Sequence, residues 1–295
     1  MNLTNCTLCP RNCGIDRVSG KTGVCKMTDD IKIARAALHM WEEPCISGDV
    51  GSGTVFFCGC SLGCVYCQNK PVSRGTVGKV VSIEKLCRIY FDLMNKGAAN
   101  INLVTPDHYI PQIAKSLEMS RQKGLNIPVV YNSSSYVNPQ SLKMLDGLVD
   151  IYLPDMKYMD SKIAKKYSLA ADYPKAAMIA IDAMVKMTGE SVFDKNGMMR
   201  RGVIVRHLVL PGNVLNSKKV LKYLFETYGD SIYISIMSQY TPCTDLSSYP
   251  EINRTVGKSE YERVISYANE LGIKNAFVQE GESASESFIP EFDYK

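Results

Sequence analysis

From about Gly51 onward, the chain alternates short apolar, β-branched runs with longer stretches in which apolar residues recur at helical spacing. This alternation predicts βα units whose strands form a parallel sheet. Six units are too few for a complete eight-stranded barrel, so the pattern favours the α/β class and a partial (β/α)6 TIM-like barrel. The predicted strands are Thr54–Phe57, Asn100–Val104, Pro128–Tyr131, Val149–Leu153, Val203–Leu210 and Ile232–Met237.

The helices predicted between these strands have recognisable ends. Ser82 is a candidate N-cap for a helix that Gly97 ends, and Pro111 and Gly124 bracket the next helix. A shorter helix is expected within residues 138–147. Four later helices are predicted over Lys162–Ala170, Pro174–Met187, Ser217–Tyr228 and Ser259–Leu271.

The first fifty residues have a different texture. They are rich in Cys, Gly, Lys and Asp and contain no long periodic segment. We therefore expect three parts: a cysteine-rich metal-binding segment (1–50), the partial barrel (51–245), and a C-terminal helix and strand that complete or cap it (246–295). A segment without a core of its own needs a metal to fold.

Composition and charge exclude several classes of protein. Of the 295 residues 45% are hydrophobic, and 34 basic against 30 acidic side chains give a net charge of +4 without runs of like charge. A nucleic-acid partner is not indicated. No apolar stretch approaches the roughly 18 to 20 residues that span a bilayer, and the first residues do not resemble a signal peptide. We expect a cytoplasmic protein with no membrane association.

Eleven cysteines are many for a protein of a reducing compartment, where clustered cysteines indicate metal binding or catalysis rather than disulfides. Seven of them fall into two groups. The first contains Cys6, Cys9, Cys13 and Cys25, and the second contains Cys60, Cys64 and Cys67.

The second group has the spacing C-x3-C-x2-C and directly follows the first predicted strand. Three thiolates hold three irons of a [4Fe-4S] cubane and leave the fourth iron open. An open position distinguishes a catalytic metal site from a closed structural one. The alternative is a zinc site or buried free thiols, but zinc normally requires a fourth ligand, and Cys58 is expected to face away from Cys60.

The first group has the spacing C-x2-C-x3-C-x11-C. Four soft ligands complete a zinc tetrahedron or fill a [4Fe-4S] cluster. This site is therefore expected to be structural or electron-relaying. The spacing does not separate a second iron–sulfur cluster from zinc.

The chain resembles radical S-adenosylmethionine (SAM) enzymes of the branch related to pyruvate formate-lyase activating enzymes. Besides the three-cysteine loop, the resemblance includes Cys6-x2-Cys9-Pro10-Arg11-x-Cys13, His39-x2-Glu42-Glu43-Pro44-Cys45 and Val104-Thr105-Pro106. It implies that the barrel is a radical SAM core and that SAM chelates the open iron. An electron delivered through the cluster then cleaves SAM to a 5′-deoxyadenosyl radical, which abstracts hydrogen from a substrate.

The resemblance also implies which residues bind SAM. Family members commonly carry Gly-Gly-Glu after the second strand, where this chain has Thr105-Pro106-Asp107, so Thr105 is the candidate there. Tyr66 precedes the last cysteine of the loop, and Asp155-x-Lys157 matches a family motif near SAM. The other implied SAM contacts are Asn132, Ser133 and Arg206.

Other polar residues are weaker candidates. His108, Gln239 and Tyr240 follow strands and are possible substrate contacts, although a lone histidine is more often structural. His39 with Glu42 and Glu43 forms either a metal or substrate constellation or a solvated helix face.

The leading hypothesis is thus a radical SAM oxidoreductase that receives electrons from a donor such as flavodoxin or ferredoxin. Its substrate is a glycyl radical enzyme or, alternatively, a small molecule or peptide. The contrasting hypothesis is a non-catalytic iron–sulfur or zinc scaffold, which has no need for an open iron site.

Overall fold

The computed structural model describes residues 3–279. Its strands are β1 (Ile31–His39), β2 (Ser52–Phe57), β3 (Lys79–Val81), β4 (Ile101–Val104), β5 (Val129–Ser133), β6 (Ile151–Pro154), β7 (Val192–Phe193), β8 (Met199–Leu208), β9 (Tyr233–Met237) and β10 (Ala276–Val278). Its α-helices are α1 (Pro44–Ser47), α2 (Lys70–Ser73), α3 (Ile83–Asn95), α4 (Ile110–Gln122), α5 (Pro139–Leu142), α6 (Ser161–Ser168), α7 (Tyr173–Thr188), α8 (Val214–Tyr228) and α9 (Lys258–Leu271).

One sheet organises these elements. Its order is β10-β9-β8-β6-β5-β4-β2-β1-β3, with β7 paired to β8 outside this path. Strands β2, β4, β5, β6, β8, β9 and β10 follow one another in the sheet, and each neighbouring pair among them is parallel. Strand β1 is antiparallel to both β2 and β3. This is the predicted partial barrel, and a parallel sheet of this kind brings the carboxyl ends of its strands to one edge.

The apolar periodicity found the parallel strands and the main helices, with boundaries that differ by a few residues. The predicted cap at Ser82 is present, because its Oγ accepts a hydrogen bond from Lys85 N at 3.2 Å. The central parallel strands β2, β4, β5 and β6 are almost fully buried, and residues of α3 and α4 pack in the same core. Burial on both faces is why these strands appear as continuous apolar runs.

The segment before residue 51 has no long periodic pattern in its sequence, yet it contains a regular element. Strand β1 has nine residues and joins the sheet through β2. A shift of register between Ile33 and Arg35 interrupts its two-residue alternation, which hid the strand from a reading of periodicity. Part of the first fifty residues therefore belongs to the sheet.

The C-terminal part contains the expected helix and strand, α9 and β10. Residues 280–295, which the predicted third part includes, lie outside the described residues. Within 3–279, no helix is both long enough and apolar enough to cross a membrane.

Candidate active site

A cavity of about 270 Å³ lies where the parallel strands end. Six strands place side chains in it at or just beyond their carboxyl ends, as the barrel topology predicts. These side chains are Phe57 from β2, Thr105 after β4, Asn132 from β5, Asp155 after β6, Arg206 from β8 and Met237 from β9. The three-cysteine loop after β2 forms another side of the cavity.

Cys60, Cys64 and Cys67 all line this cavity and are partly buried. Burial, followed by the neighbouring Cys64 and Cys67, raises the pKa of Cys60 to about 12. The three thiols are therefore close enough to affect one another's charge. Two glycines with positive φ turn the loop, Gly59 at 91° and Gly63 at 65°. The structure thus brings the predicted cluster ligands together.

Neighbouring elements hold this loop in place. Val65 N donates to Tyr167 O at 2.9 Å, and Thr244 Oγ1 donates to Val65 O at 2.9 Å. Ser168 Oγ donates to Cys64 Sγ at 3.0 Å. Cys58 faces away from the cavity, as expected, and its Sγ contacts Val77 O at 3.2 Å.

Four charged side chains meet in the cavity, and we call Glu42, Asp155, Lys157 and Arg206 the ion-pair cluster. Asp155 Oδ2 accepts from Lys157 Nζ at 2.6 Å, and Asp155 Oδ1 accepts from Arg206 Nε at 3.2 Å. Arg206 Nη1 also donates to Glu42 Oε2 at 3.2 Å. Burial acts to raise the pKa of Asp155, but Lys157 and Arg206 together lower it below its ordinary value. Asp155 and Lys157 therefore both stay ionised.

Glu42 was not among the SAM contacts that the sequence implied. Its Oε1 accepts from Asn102 Nδ2 at 2.7 Å, and burial raises the pKa of its carboxyl. The Glu42 side chain is 7% exposed and Glu43 is buried, so neither carboxylate belongs to a solvated face. His39 and Trp41 line the cavity beside Glu42. In the sequence, the His39-to-Cys45 motif pointed to this region. The motif did not reveal which residues Glu42 contacts.

Thr105 has φ +57°, a left-handed conformation that is unusual for a β-branched residue. Its N–H donates to Asn132 O at 2.9 Å, and both residues line the cavity. Arg206 Nη2 also donates to Asn132 Oδ1 at 2.5 Å. Thr105 thus adopts a backbone conformation that glycine takes more readily than a β-branched residue.

Ser133 does not face the cavity. Its Oγ donates to Asp107 Oδ1 at 2.6 Å, and Tyr131 Oη donates to the same oxygen at 2.7 Å. The cavity is lined instead by Ser134, and Asp107 is fully enclosed behind it. Ser133 is therefore not among the side chains that line the cavity, and its role as a SAM contact stays a prediction.

Aromatic and amide side chains complete the site. Tyr66, Gln239 and Tyr240 line the cavity, and Tyr66 Oη lies 2.6 Å from Tyr158 Oη. His108 is not a cavity residue; its Nε2 lies 2.6 Å from Cys58 O, and burial lowers its pKa to about 3. It is therefore a neutral structural histidine.

The amino-terminal cysteines also share one neighbourhood. Burial is the main cause that raises the pKa of Cys9 to about 12, and Cys25 and Cys13 contribute to the same shift. Cys6 and Cys13 act in the same way on Cys25. Within residues 3–279, no three His, Cys, Asp or Glu side chains converge as the ligands of a single metal ion. A cubane differs from such a site because each of its thiolates binds a different iron.

Two arginines dock the amino-terminal segment against the barrel. Arg11 donates to Ser61 O at 3.0 Å, within the three-cysteine loop, and to Ser168 O at 3.1 Å. Arg17 is completely buried and donates to His108 O at 2.6 Å. A Cβ on Gly59 would lie 2.8 Å from Cys25 O, so the Cys25 backbone lies directly beside the residue that precedes Cys60.

The chain resembles known proteins in its sequence and in its fold. No family model matches the chain. An uncharacterised protein of Methanocaldococcus jannaschii is 27% identical over 277 residues, which are 91% of this chain and 75% of that protein.

Among solved structures, SuiB of Streptococcus suis has a TM-score of 0.52 at 12% identity, in crystals bound to the precursor peptide SuiA and in crystals bound to SAM. The match covers 76% of this chain and 47% or 49% of SuiB. HydG, a maturase of the [FeFe]-hydrogenase, has a TM-score of 0.50 at 15% identity, over 74% of this chain and 49% of HydG. The chain thus spans about half the length of these solved structures. They are radical SAM enzymes, and the likeness is one of fold.

Proposed function

We propose that this chain, which has the fold of the radical SAM enzymes, holds a [4Fe-4S] cluster through Cys60, Cys64 and Cys67 and binds SAM at the fourth iron. One observation carries the proposal: three thiols from one loop line a cavity at the carboxyl ends of the strands. Among the described residues around that cavity there is no fourth cysteine. This donor set fits a cubane with one open iron.

With both groups bound, SAM and the cluster supply reductive cleavage to a 5′-deoxyadenosyl radical, which removes a hydrogen atom from the substrate. The protein binds and orients the reactants and excludes water from them. Leu62, Val72, Leu208 and Met237 give the cavity apolar walls for that purpose. The nearby ammonium of Lys157 offsets part of the negative charge of the thiolates.

The SAM contacts belong to the same proposal. Asp155 and Lys157 are held as a pair at 2.6 Å and line the cavity, which supports a grip on the ribose and on the amino acid end of SAM. Thr105, Asn132 and Tyr66 line the same cavity. Arg206 contacts Glu42 and Asp155, so we assign it the task of orienting these carboxylates.

A second iron–sulfur cluster at Cys6, Cys9, Cys13 and Cys25 is a further part of the proposal; the zinc alternative is not carried forward, because no three possible ligands within residues 3–279 converge on a single ion. Its support is that burial and the neighbouring thiols perturb Cys9 and Cys25 together. Because Cys25 O lies beside Gly59, such a centre would be next to the cluster loop. That position suits a structural or an electron-relaying role.

Two substrate classes follow from the resemblance: a glycyl radical enzyme, as for an activase, or a small molecule or peptide. Trp41 is 58% exposed and also lines the cavity, which gives the opening an aromatic contact for an incoming substrate. SuiB has been crystallised with a precursor peptide, which supports testing a peptide. A flavodoxin or ferredoxin is the proposed class of electron donor.

The proposal is tested by anaerobic reconstitution with iron and sulfide, followed by SAM and a strong reductant. We expect 5′-deoxyadenosine from the wild type and none from Cys64→Ala. The matched control is Cys87→Ala, which removes a buried thiol whose Sγ contacts Ser116 O between two helices. That variant should form the product at the wild-type rate. A non-catalytic scaffold predicts no 5′-deoxyadenosine from any of the three proteins.

A further inference from the structure

Three buried hydroxyl groups form a chain that ends on a cluster cysteine. Tyr66 Oη lies 2.6 Å from Tyr158 Oη, and Tyr158 Oη lies 2.9 Å from Ser168 Oγ. Ser168 Oγ in turn lies 3.0 Å from Cys64 Sγ. We call Tyr66, Tyr158 and Ser168 the hydroxyl chain. Tyr66, the first residue of this chain, comes two positions after Cys64, whose sulfur accepts the last hydrogen bond.

The direction of these hydrogen bonds follows from proton counting. A cluster-bound thiolate has no proton to donate, so Ser168 must donate its only hydroxyl proton to Cys64 Sγ. Tyr158 must then donate to Ser168, and Tyr66 must donate to Tyr158. A tyrosine hydroxyl ordinarily keeps its proton at neutral pH, so both tyrosines act as donors. All three bonds therefore point toward the sulfur and strengthen one another.

The packing fixes the chain in this arrangement. Tyr158 and Ser168 have no exposed surface, and Tyr66 is 7% exposed. Ser168 is the last residue of α6, and Leu169 after it adopts φ +51°. Arg11 holds this turn from the amino-terminal segment, with Nη1 2.6 Å from Leu169 O and Nη2 3.1 Å from Ser168 O. These two hydrogen bonds to the carbonyls of Ser168 and Leu169 fix the turn and so hold the serine hydroxyl toward Cys64.

Hydrogen bonds to the sulfurs are among the factors that set the reduction potential of an iron–sulfur cluster. A donor to a cysteine sulfur stabilises the form with more negative charge, which is the reduced form. The hydroxyl chain therefore acts on the electron uptake that precedes SAM cleavage.

We propose that Ser168 is a positioning residue that, with Tyr158 and Tyr66 behind it, raises the reduction potential of the cluster held by Cys64. This inference rests on the proposed function. In the step concerned, a low-potential one-electron donor is oxidised and the cluster takes up that electron. Each hydroxyl keeps its proton, and no bond within the chain breaks.

The test is a redox titration of the reconstituted wild type and of Ser168→Ala, with the reduced cluster followed by EPR. We expect the variant to be about tenfold harder to reduce, which corresponds to roughly 59 mV more negative for one electron. Tyr158→Phe should shift the potential in the same direction by less, because it removes only the second donor. Ser168→Thr keeps a hydroxyl and should restore most of the wild-type potential.

Tyr90→Phe is the matched control for Tyr158→Phe. Tyr90 Oη also pairs with a buried serine hydroxyl, that of Ser116 at 3.1 Å, but between α3 and α4 and away from the cavity. This variant should keep the wild-type potential. The wild type alone provides a second measurement: in D2O, resonance Raman should show an isotope shift of the Fe–S(Cys) stretch.

The outcomes separate the two proposals. A wild-type cluster that forms 5′-deoxyadenosine, but whose potential is the same in Ser168→Ala, overturns the role of the hydroxyl chain and leaves the proposed function standing. An Fe–S stretch that is insensitive to D2O also contradicts the hydrogen bond. A wild type that assembles no cluster at these three cysteines overturns both proposals.

Discussion

Arg206 Nη1 lies 3.2 Å from Glu42 Oε2, although 164 positions separate the two residues in the chain. The contact joins the segment after β1, which belongs to the antiparallel extension of the sheet, to a strand in the parallel barrel. Since Arg206 also binds Asp155, one guanidinium balances two buried carboxylates. The extension thus supplies one wall of the cavity and is part of the site.

The first prediction concerns this guanidinium. Arg206→Ala leaves Glu42 and Asp155 buried with less compensation, and removal of one partner from a buried ion pair typically costs about 3 to 5 kcal/mol. We expect a loss of that size in the free energy of unfolding, measured by urea denaturation at pH 7. Arg200→Ala is the control, because its pair with Asp194 has an arginine that is 49% exposed, and exposed pairs contribute only about 0 to 1 kcal/mol. Equal losses in both variants would contradict the buried network.

The second prediction concerns the contact between the two cysteine groups. Gly59 has φ +91°, and a Cβ there would lie 2.4 Å from Met27 Cγ and 2.8 Å from Cys25 O. Gly97 has φ +85° with nothing within 4 Å, so Gly97→Ala measures the backbone strain alone, about 1 to 2 kcal/mol. Gly59→Ala adds a steric clash of about 1 to 3 kcal/mol and should loosen the amino-terminal segment.

Urea denaturation gives the difference in stability between these two alanine variants, and limited proteolysis reports on the amino-terminal segment. We expect faster cleavage before residue 30 in Gly59→Ala only. Two variants of equal stability and equal resistance to protease would show that the segment does not pack on the loop as described.

The strands of the sheet could be predicted from the sequence more fully than the contacts within the site. Parallel strands such as β4 and β5 were predictable because burial on both faces requires continuous apolar runs. The cluster loop was predictable because cysteine spacing is local. The partner of Glu42 was not, because a contact across 164 positions depends on how the sheet curves. The sequence did not separate Asn132 from Ser133, and only Asn132 lines the cavity, because successive side chains on a strand point to opposite faces.

A third prediction follows from the Asp107 carboxyl. Burial raises its pKa from 3.8 to about 6, although Ser133 and Tyr131 donate to it. The folded protein therefore holds a proton there between pH 4 and 6 that the unfolded chain releases, so this group's contribution to stability falls as the pH rises through that window. The loss is on the order of 3 kcal/mol, because one pKa unit corresponds to about 1.4 kcal/mol.

Urea denaturation of the wild type and of Asp107→Asn at several pH values between 4 and 7 measures this contribution. The amide does not titrate, so the stability of the wild type relative to the variant should fall between pH 4 and 6 and then level off. A difference that stays constant, or one that grows with pH, would show that Asp107 is not a buried carboxyl with a raised pKa.

The central claim is that the cluster held by Cys60, Cys64 and Cys67 has one iron without a cysteine ligand, to which SAM binds. Mössbauer spectroscopy of protein reconstituted anaerobically with 57Fe, before and after addition of SAM, tests it most directly. We predict that one iron per chain changes its isomer shift and quadrupole splitting when SAM is added, while the other irons do not. Spectra that are identical with and without SAM would contradict the account.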